Sequence, residues 1–360
     1  MNLPEIALLR LRSQQLVQPV FTSAKELVQW MGAMQAQDFP MVKWAIGIRL
    51  PGSTETMIDE VFNRGDILRT HLMRPTWHLV SRDDIGWMMS LTAPRKRTAT
   101  ASRDKQLGLD EKIFSKSNSI IGEALTGGNH LTRETLVEKL QQAGINTGDN
   151  RASHLLQRAE TEGIACSGRI SRHKPTYALL SERAGKTELL SRDEALARLA
   201  LRYFTSHGPA TLADFNWWSG LTTGDAKRAL EAVKNSLTEV SAGGQTYWLS
   251  PETGSAKPAG DMVHLLPAFD EYIISYRDRT ASLPAAHNRK AVSNNGIFYP
   301  VMMHNGRITG TWSRTLRNKT LDLALKPFSN SGVIPEEKLT EAVAAYGKFC
   351  NKNFATLVIR

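Results

Sequence analysis

Cysteine is almost missing from this 360-residue chain: Cys166 and Cys350 are the only two, and neither has a neighbour at ligand spacing. That excludes a disulfide framework and a cysteine-built zinc site, and it points to a reducing cytoplasm. No apolar run reaches the roughly 18 residues a membrane span requires. The opening residues, Met1-Asn2-Leu3-Pro4-Glu5-Ile6, lack the basic-then-apolar pattern of a secretory signal. The 9 histidines are scattered, with no H-E-x-x-H or close pair. No phosphate-cradling glycine loop, dinucleotide fingerprint or G-x-S-x-G elbow occurs. The expectation is a cytoplasmic protein without metal, cofactor or membrane partner.

Positive charge is what the chain has in excess. Lys and Arg number 45 against 35 Asp and Glu, a net charge of +10. A protein this basic suits a polyanionic partner, nucleic acid first, although many basic proteins have no such role. The composition, 41% hydrophobic and 22% charged, is that of an ordinary globular protein.

Three short segments end alike: Thr76-Trp77-His78-Leu79, Thr176-Tyr177-Ala178-Leu179 and Thr246-Tyr247-Trp248-Leu249. Each alternates as a strand does, and each follows two or three helical patterns on the return limb of a hairpin. The third copy is the clearest. Ala195, Leu196, Leu199, Ala200, Tyr203 and Phe204 form a helical stripe, broken at His207-Gly208-Pro209. Shorter helices follow over 212–218 and 222–233, then a hairpin turning at Gly243-Gly244. Helix, helix, turn, helix, hairpin describes a winged helix-turn-helix. The second copy repeats it, with Thr132 as an N-cap and helices over 118–125 and 149–162. The first has helices over 4–12, 24–34 and 55–63 and a hairpin over 67–80.

Basic residues gather on these units. Arg151, His154 and Arg158 fall on one helix face, and Arg169, Arg172, His173 and Lys174 on the hairpin after it. A helical connector carries Arg95, Lys96, Arg97, Arg103 and Lys105. Basic helix face and wing suit phosphate contacts, or they are simply solvated.

Past Pro251 the texture changes. Residues 250–260 read as a linker, and strands are expected over 263–266, 272–275, 297–303, 307–312, 321–325 and 355–359, with a helix from Pro335 to Phe349. His304-Asn305-Gly306 marks a hairpin turn. The class is therefore α+β: winged units over 1–80, 116–190 and 191–250, a connector over 81–115, and a small barrel-like β domain over 261–360. In that domain Arg277, Arg279, Arg307, Arg314 and Trp312 are candidate DNA contacts. The alternative is that these arginines pair with Asp270, Glu271, Asp278 and Asp322.

One segment is unusual: Met34-Gln35-Ala36-Gln37-Asp38-Phe39-Pro40. Pro40 disfavours helix at Phe39, so the second helix should end here. Gln35 and Gln37 share a face only if the backbone is extended. Two amides on one face can orient a water and turn carbonyl dipoles toward a developing cation. On spacing alone, two surface glutamines at a helix end is the simpler reading.

The chain resembles the AlkZ-like DNA glycosylases, a family of three tandem winged helices. The matching segments are Met34-Gln35-Ala36-Gln37-Asp38, residues 68–79 (LRTHLMRPTWHL), 214–221 (DFNWWSGL), 265–272 (LLPAFDEY), Tyr276-Arg277-Asp278-Arg279 and 306–312 (GRITGTW). Taken in order they cover nearly the whole chain. The resemblance implies excision of N7-alkylated purines and unhooking of interstrand crosslinks made by bifunctional alkylating natural products, as in self-resistance to a toxin. It implies catalysis by Gln35 and Gln37, with Gln37 marking the crosslink-associated branch, and it adds Arg69, Arg74 and His78 to the DNA-facing residues.

The implied chemistry suits these side chains. N7 alkylation makes the purine cationic and its glycosidic bond weak, so little acid catalysis is needed. What remains is to stabilise an oxocarbenium-like sugar and hold a water. No lysine is required for a Schiff base, so a monofunctional enzyme acting as a monomer on double-stranded DNA is expected. Winged helices also serve transcription regulators, and fold alone would favour that alternative. Three copies in one chain argue against it.

Overall fold

Asn2 opens the chain with a reciprocal cap. Its side chain accepts from the Glu5 N–H at 2.9 Å, and the Glu5 carboxylate accepts from the Asn2 N–H at 2.8 Å. Pro4 sits in the first turn, where a missing N–H costs nothing. The outcome is helix Leu3–Ser13. The structure, a computed structural model, describes residues 1–74, 76–254, 260–329 and 331–359. Pro75, at the expected turn of the first hairpin, and residues 255–259, the middle of the expected linker, lie outside the described residues.

The chain forms two compact units. One gathers residues 1–58, 197–218 and 222–360; the other holds 59–196 with 219–221. The segments expected from sequence cut across this division, because residues 1–58 and most of the third winged segment fall in the same unit as the C-terminal strands.

In the second unit, helices Glu111–Leu125, Arg133–Gln142 and Arg151–Thr161 bury Phe114, Ile121, Leu136, Leu140 and Leu155 in one core. A three-stranded sheet closes it, with Thr176–Leu179 between Leu131–Thr132 and Ala165–Ser167. Thr132 caps its helix by accepting from Thr135 N–H. Strands Ile67–His71 and Trp77–Ser81 pair antiparallel, and helix Ile85–Gln106 follows.

In the first unit, helices Leu212–Ser219 and Thr223–Val233 precede strands Thr238–Ala242 and Gln245–Leu249. Gly243 and Gly244 between them have φ of 56° and 75°, the positive values a two-residue hairpin turn demands. Five strands then build one sheet in the order Asn353–Ile359, Thr320–Pro327, Arg307–Leu316, Val301–His304, Val263–Leu266. Its one parallel pair, Thr320–Pro327 with Asn353–Ile359, is joined through helix Glu336–Cys350, as a parallel connection requires. Beside it Leu11, Leu266, Tyr272, Val301, Met303 and Phe328 share a core. No helix among the described residues is long and apolar enough to cross a membrane.

Three local expectations need correction. The strand expected over 297–303 begins only at Val301 and ends at His304. Residues 272–275 are not a strand: 272–274 lie in helix Glu271–Ile274, with Ser275 as its C-cap, and the helix is started by Asp270, whose carboxylate accepts from the Tyr272 N–H at 2.9 Å. The helix expected over 24–34 stops at Met31, where Gly32 takes φ 76°, and a further helix, Phe39–Gly47, forms where none was expected. Pro40 lies in its first turn and Asp38 caps it, accepting from Met41 N–H at 3.1 Å. Pro40 thus marks a helix start rather than only a stop.

Gly47 carries a packing constraint. A Cβ placed there would lie 2.4 Å from the Phe349 ring, far inside van der Waals contact. Gly47→Ala should destabilise the protein by about 1–3 kcal/mol. Adding Phe349→Leu should recover part of the loss, read by urea denaturation.

Candidate active site

The segment singled out by its glutamines is a link between two capped helices. After Gly32 the chain extends through the two-residue strand Met34–Gln35 and reaches Asp38, the cap of Phe39–Gly47. Extended backbone is what the i, i+2 pair needed. The two amides are nevertheless presented differently. Gln35 is 5% exposed and Ala36 fully buried, whereas Gln37 is exposed.

Gln35 is held from behind. Its backbone N–H donates to Glu271 Oε1 at 2.5 Å. The other oxygen, Oε2, accepts from the Trp218 indole N–H at 3.2 Å and from the Ser275 hydroxyl, and His207 Nε2 stands 3.6 Å away. Glu271 is 2% exposed and His207 fully buried, its ring stacked on Tyr203 at 5.0 Å. Burial alone would raise the Glu271 carboxyl. His207 beside it, the Ser275 hydroxyl and the Gln35 N–H outweigh it and bring it down to about 2. Burial lowers His207, with Glu271 opposing.

Beside Glu271, Asp270 closes a second buried contact. Arg49 donates to both its oxygens at 2.8 Å, and both side chains are fully buried. Arg49 also donates to the Gln14 carbonyl at 2.9 Å and side-chain oxygen at 3.0 Å. The Gln14 amide nitrogen donates to the Glu271 carbonyl and to the Tyr276 hydroxyl, which donates to the His207 carbonyl at 2.7 Å. Arg10 lies over the Tyr276 ring at 3.6 Å and within 3.6 Å of Asp214, whose other oxygen accepts from the Arg277 N–H at 2.8 Å. Asp214 and Trp218, with Asp270 and Glu271, therefore supply the polar bed under Gln35. Spacing alone did not single out Glu271, Trp218, His207, Arg49 or Asp270; the acidic pair and paired tryptophans of the segments 214–221 and 265–272 were the available signal. Among the described residues no three His, Cys, Asp or Glu gather as a metal site.

The expected DNA contacts divide sharply by environment. In the first unit, Arg277 and Arg307 are exposed. Arg279 donates to the Ile273 carbonyl and lies over the Phe298 ring, while Arg314 donates to the Tyr346 hydroxyl. Trp312 is withdrawn as a DNA contact: it is 2% exposed, its indole N–H donates to the Leu266 carbonyl, and it packs edge-on against Tyr346.

In the second unit, Arg95, Arg169, Arg172 and Lys174 are exposed. The last two sit on a tight turn in which Ser171 and Lys174 exchange backbone hydrogen bonds. Arg158 is spent internally on Glu111 and Glu162, and Arg97 also meets Glu162. Arg151 donates to the Leu107 carbonyl and to Asp149, while Arg69 covers the Trp77 ring at 4.1 Å. Arg74 is half-buried. Lys96 and His78 are corrected as well. Lys96 is 2% exposed and donates to the His71 carbonyl, and burial, partly offset by Glu160 and Glu162, lowers it to about 8. His78 is 1% exposed, its Nδ1 2.9 Å from the Thr76 carbonyl. A buried side chain has no surface to offer a phosphate.

Comparison with known proteins identifies a family, a curated relative and a solved structure. The model of the family described as DNA glycosylase AlkZ-like matches residues 28–349. An interstrand DNA cross-link repair glycosylase of Streptomyces sahachiroi is 23% identical over 337 residues, covering 89% of each chain. The solved structure of the Streptomyces sahachiroi DNA glycosylase AlkZ superposes with a TM-score of 0.85 at 20% identity, covering 100% of both chains, which shows a shared fold.

Two stability measurements probe the polar bed. Arg49→Met strands a buried carboxylate and should cost about 3–5 kcal/mol, with Asp270→Asn recovering part of it. Glu271 has a folded value near 2 against 4.5 for the free group, so its contribution is complete above pH 4.5 and is lost as pH falls toward 2. Denaturation between pH 5 and 2 should show that acid limb, flattened in Glu271→Gln.

Proposed function

Because this chain belongs to the AlkZ-like DNA glycosylase family and so hydrolyses N-glycosyl bonds in DNA, we propose that it removes cationic N7-alkylated purines and unhooks interstrand crosslinks built on them. The observation that carries this reading is the extended Gln35-Ala36-Gln37 link, anchored at Gln35 and open at Gln37.

The division of labour follows from exposure. Gln37, in solvent, holds the attacking water through its carbonyl and turns that dipole toward the sugar. Gln35, buried and tied to Glu271, orients the link and supports Gln37. Water attacks C1′ as the C1′–N9 bond breaks. The bonding pair passes to the purine and cancels its positive charge, and the water's proton leaves to solvent. The cationic base is already a good leaving group, so an amide without a useful pKa suffices. No lysine takes part, and the strand is left intact. An open site suits a base still tied to the opposite strand, which cannot be flipped fully into a closed pocket.

For DNA binding we read residues 116–190 and 191–250 as winged helices, with residues 1–80 a divergent third, in a protein that acts as a monomer. Among the expected contacts, Arg169, Arg172 and Lys174 on the wing turn, with Arg95, Arg277 and Arg307, are exposed and available to phosphates. No observation favours a transcription regulator over the enzyme.

Two experiments test this. Gln37→Ala removes an exposed side chain, so fold and DNA affinity should hold, while single-turnover release of N7-methylguanine falls on the order of 10²–10³-fold. Wild-type rates at matched occupancy would sink the assignment. Binding to unmodified duplexes should be indifferent to sequence, with a log–log salt slope of about −5 for six phosphate contacts; a slope near zero would remove the DNA-contact set.

A further inference from the structure

We propose that Glu271 is the positioning residue of the glycosylase site: by gripping the Gln35 N–H, its carboxylate fixes the extended link from which Gln37 reaches the substrate. This rests on the catalytic role proposed for Gln37.

The geometry is that of a clamp. Trp218 and Ser275 donate to Oε2, which His207 Nε2 faces from 3.6 Å, and this leaves Oε1 for Gln35 alone. Among the described residues, no Lys or Arg pairs with this buried carboxylate; its partners are neutral donors and a histidine. A buried charge is costly, and an amide would be a cheaper acceptor if the need were only to satisfy one backbone N–H. What a carboxylate adds is a short, charge-assisted hydrogen bond that resists displacement. Stiffness matters at this place because Met34–Gln35 is only two residues of strand between Gly32 and the cap at Asp38. Gln37 lies two residues beyond the clamp, so a small rotation at Gln35 moves its amide further than the roughly 0.5 Å a catalytic group tolerates.

Single-turnover release of N7-methylguanine from duplex DNA, with protein saturating, separates the chemical step from binding. Glu271→Met is similar in size but lacks an oxygen acceptor; it should slow release about 30-fold at unchanged DNA affinity. Glu271→Gln keeps one acceptor for the Gln35 N–H and should stay within about 5-fold of wild type, although both substitutions lower Tm. Rate then parts from stability, which a merely structural role would not produce. In a Gln37→Ala background, Glu271→Met should add no more than about 3-fold, because the group it positions is gone. A full 30-fold loss in both backgrounds, a wild-type rate for folded Glu271→Met, or equal losses for Met and Gln would each overturn the proposal. Should Glu271→Met not fold, Ser275→Ala loosens the carboxylate from the far side and should slow release about 5-fold with Gln37 present and not without it; no slowing overturns the proposal. A wild-type rate for Gln37→Ala alone would instead refute the catalytic reading beneath it, and this inference with it.

Discussion

Two adjacent carboxylates, Asp270 and Glu271, organise the first unit by accepting hydrogen bonds from residues more than 200 positions earlier. Asp270 takes both nitrogens of Arg49, 221 residues away, and Glu271 takes the backbone of Gln35, 236 residues away. Neither carboxylate is exposed beyond 2%. A charge that deep is tolerated only when its donors are in place. The N-terminal helices and the 260–280 region therefore reach their native arrangement together or leave charges stranded. Gln14 ties the two contacts into one network, serving Arg49 with its oxygens and Tyr276 with its nitrogen.

That arrangement separates rigidity from reactivity. The titratable groups Glu271 and His207 lie beneath the link and are buried, while the residue proposed to meet the substrate is a neutral amide in water. Such a division suits a reaction whose leaving group brings its own positive charge. The protein has little proton transfer to arrange, so its buried groups serve geometry.

The 45 Lys and Arg overstate what is available to DNA. Arg10, Arg49, Arg97 and Arg158 are engaged by Asp or Glu, and Lys96 is turned into the protein. The exposed cations form a smaller set, with a concentration on the turn between Arg169 and Lys174. Counting basic residues along a helix face could not distinguish these cases, because Glu111 and Glu162, which consume Arg158, lie on a different helix and past the end of its own.

Periodicity and turn chemistry revealed most elements, because they depend on neighbours in the chain: the Thr132 cap, the Gly243-Gly244 and Asn305-Gly306 turns, the apolar stripe through Tyr203 and the strands around them. Pro40 was ambiguous for the same reason, since one residue type both ends a helix and begins one, and Asp38 decides which. The glutamine pair was conspicuous in the sequence only as spacing and as a family resemblance. That Gln35 is buried and Gln37 exposed, that Trp312, Lys96 and His78 belong to the interior, and that Glu271 stands behind Gln35 depend on packing between distant segments. Local sequence therefore determined which backbone could be extended at residues 34–37, and tertiary structure alone decided which of its two amides faces water, because burial is a property of what folds against a residue and not of the residue itself.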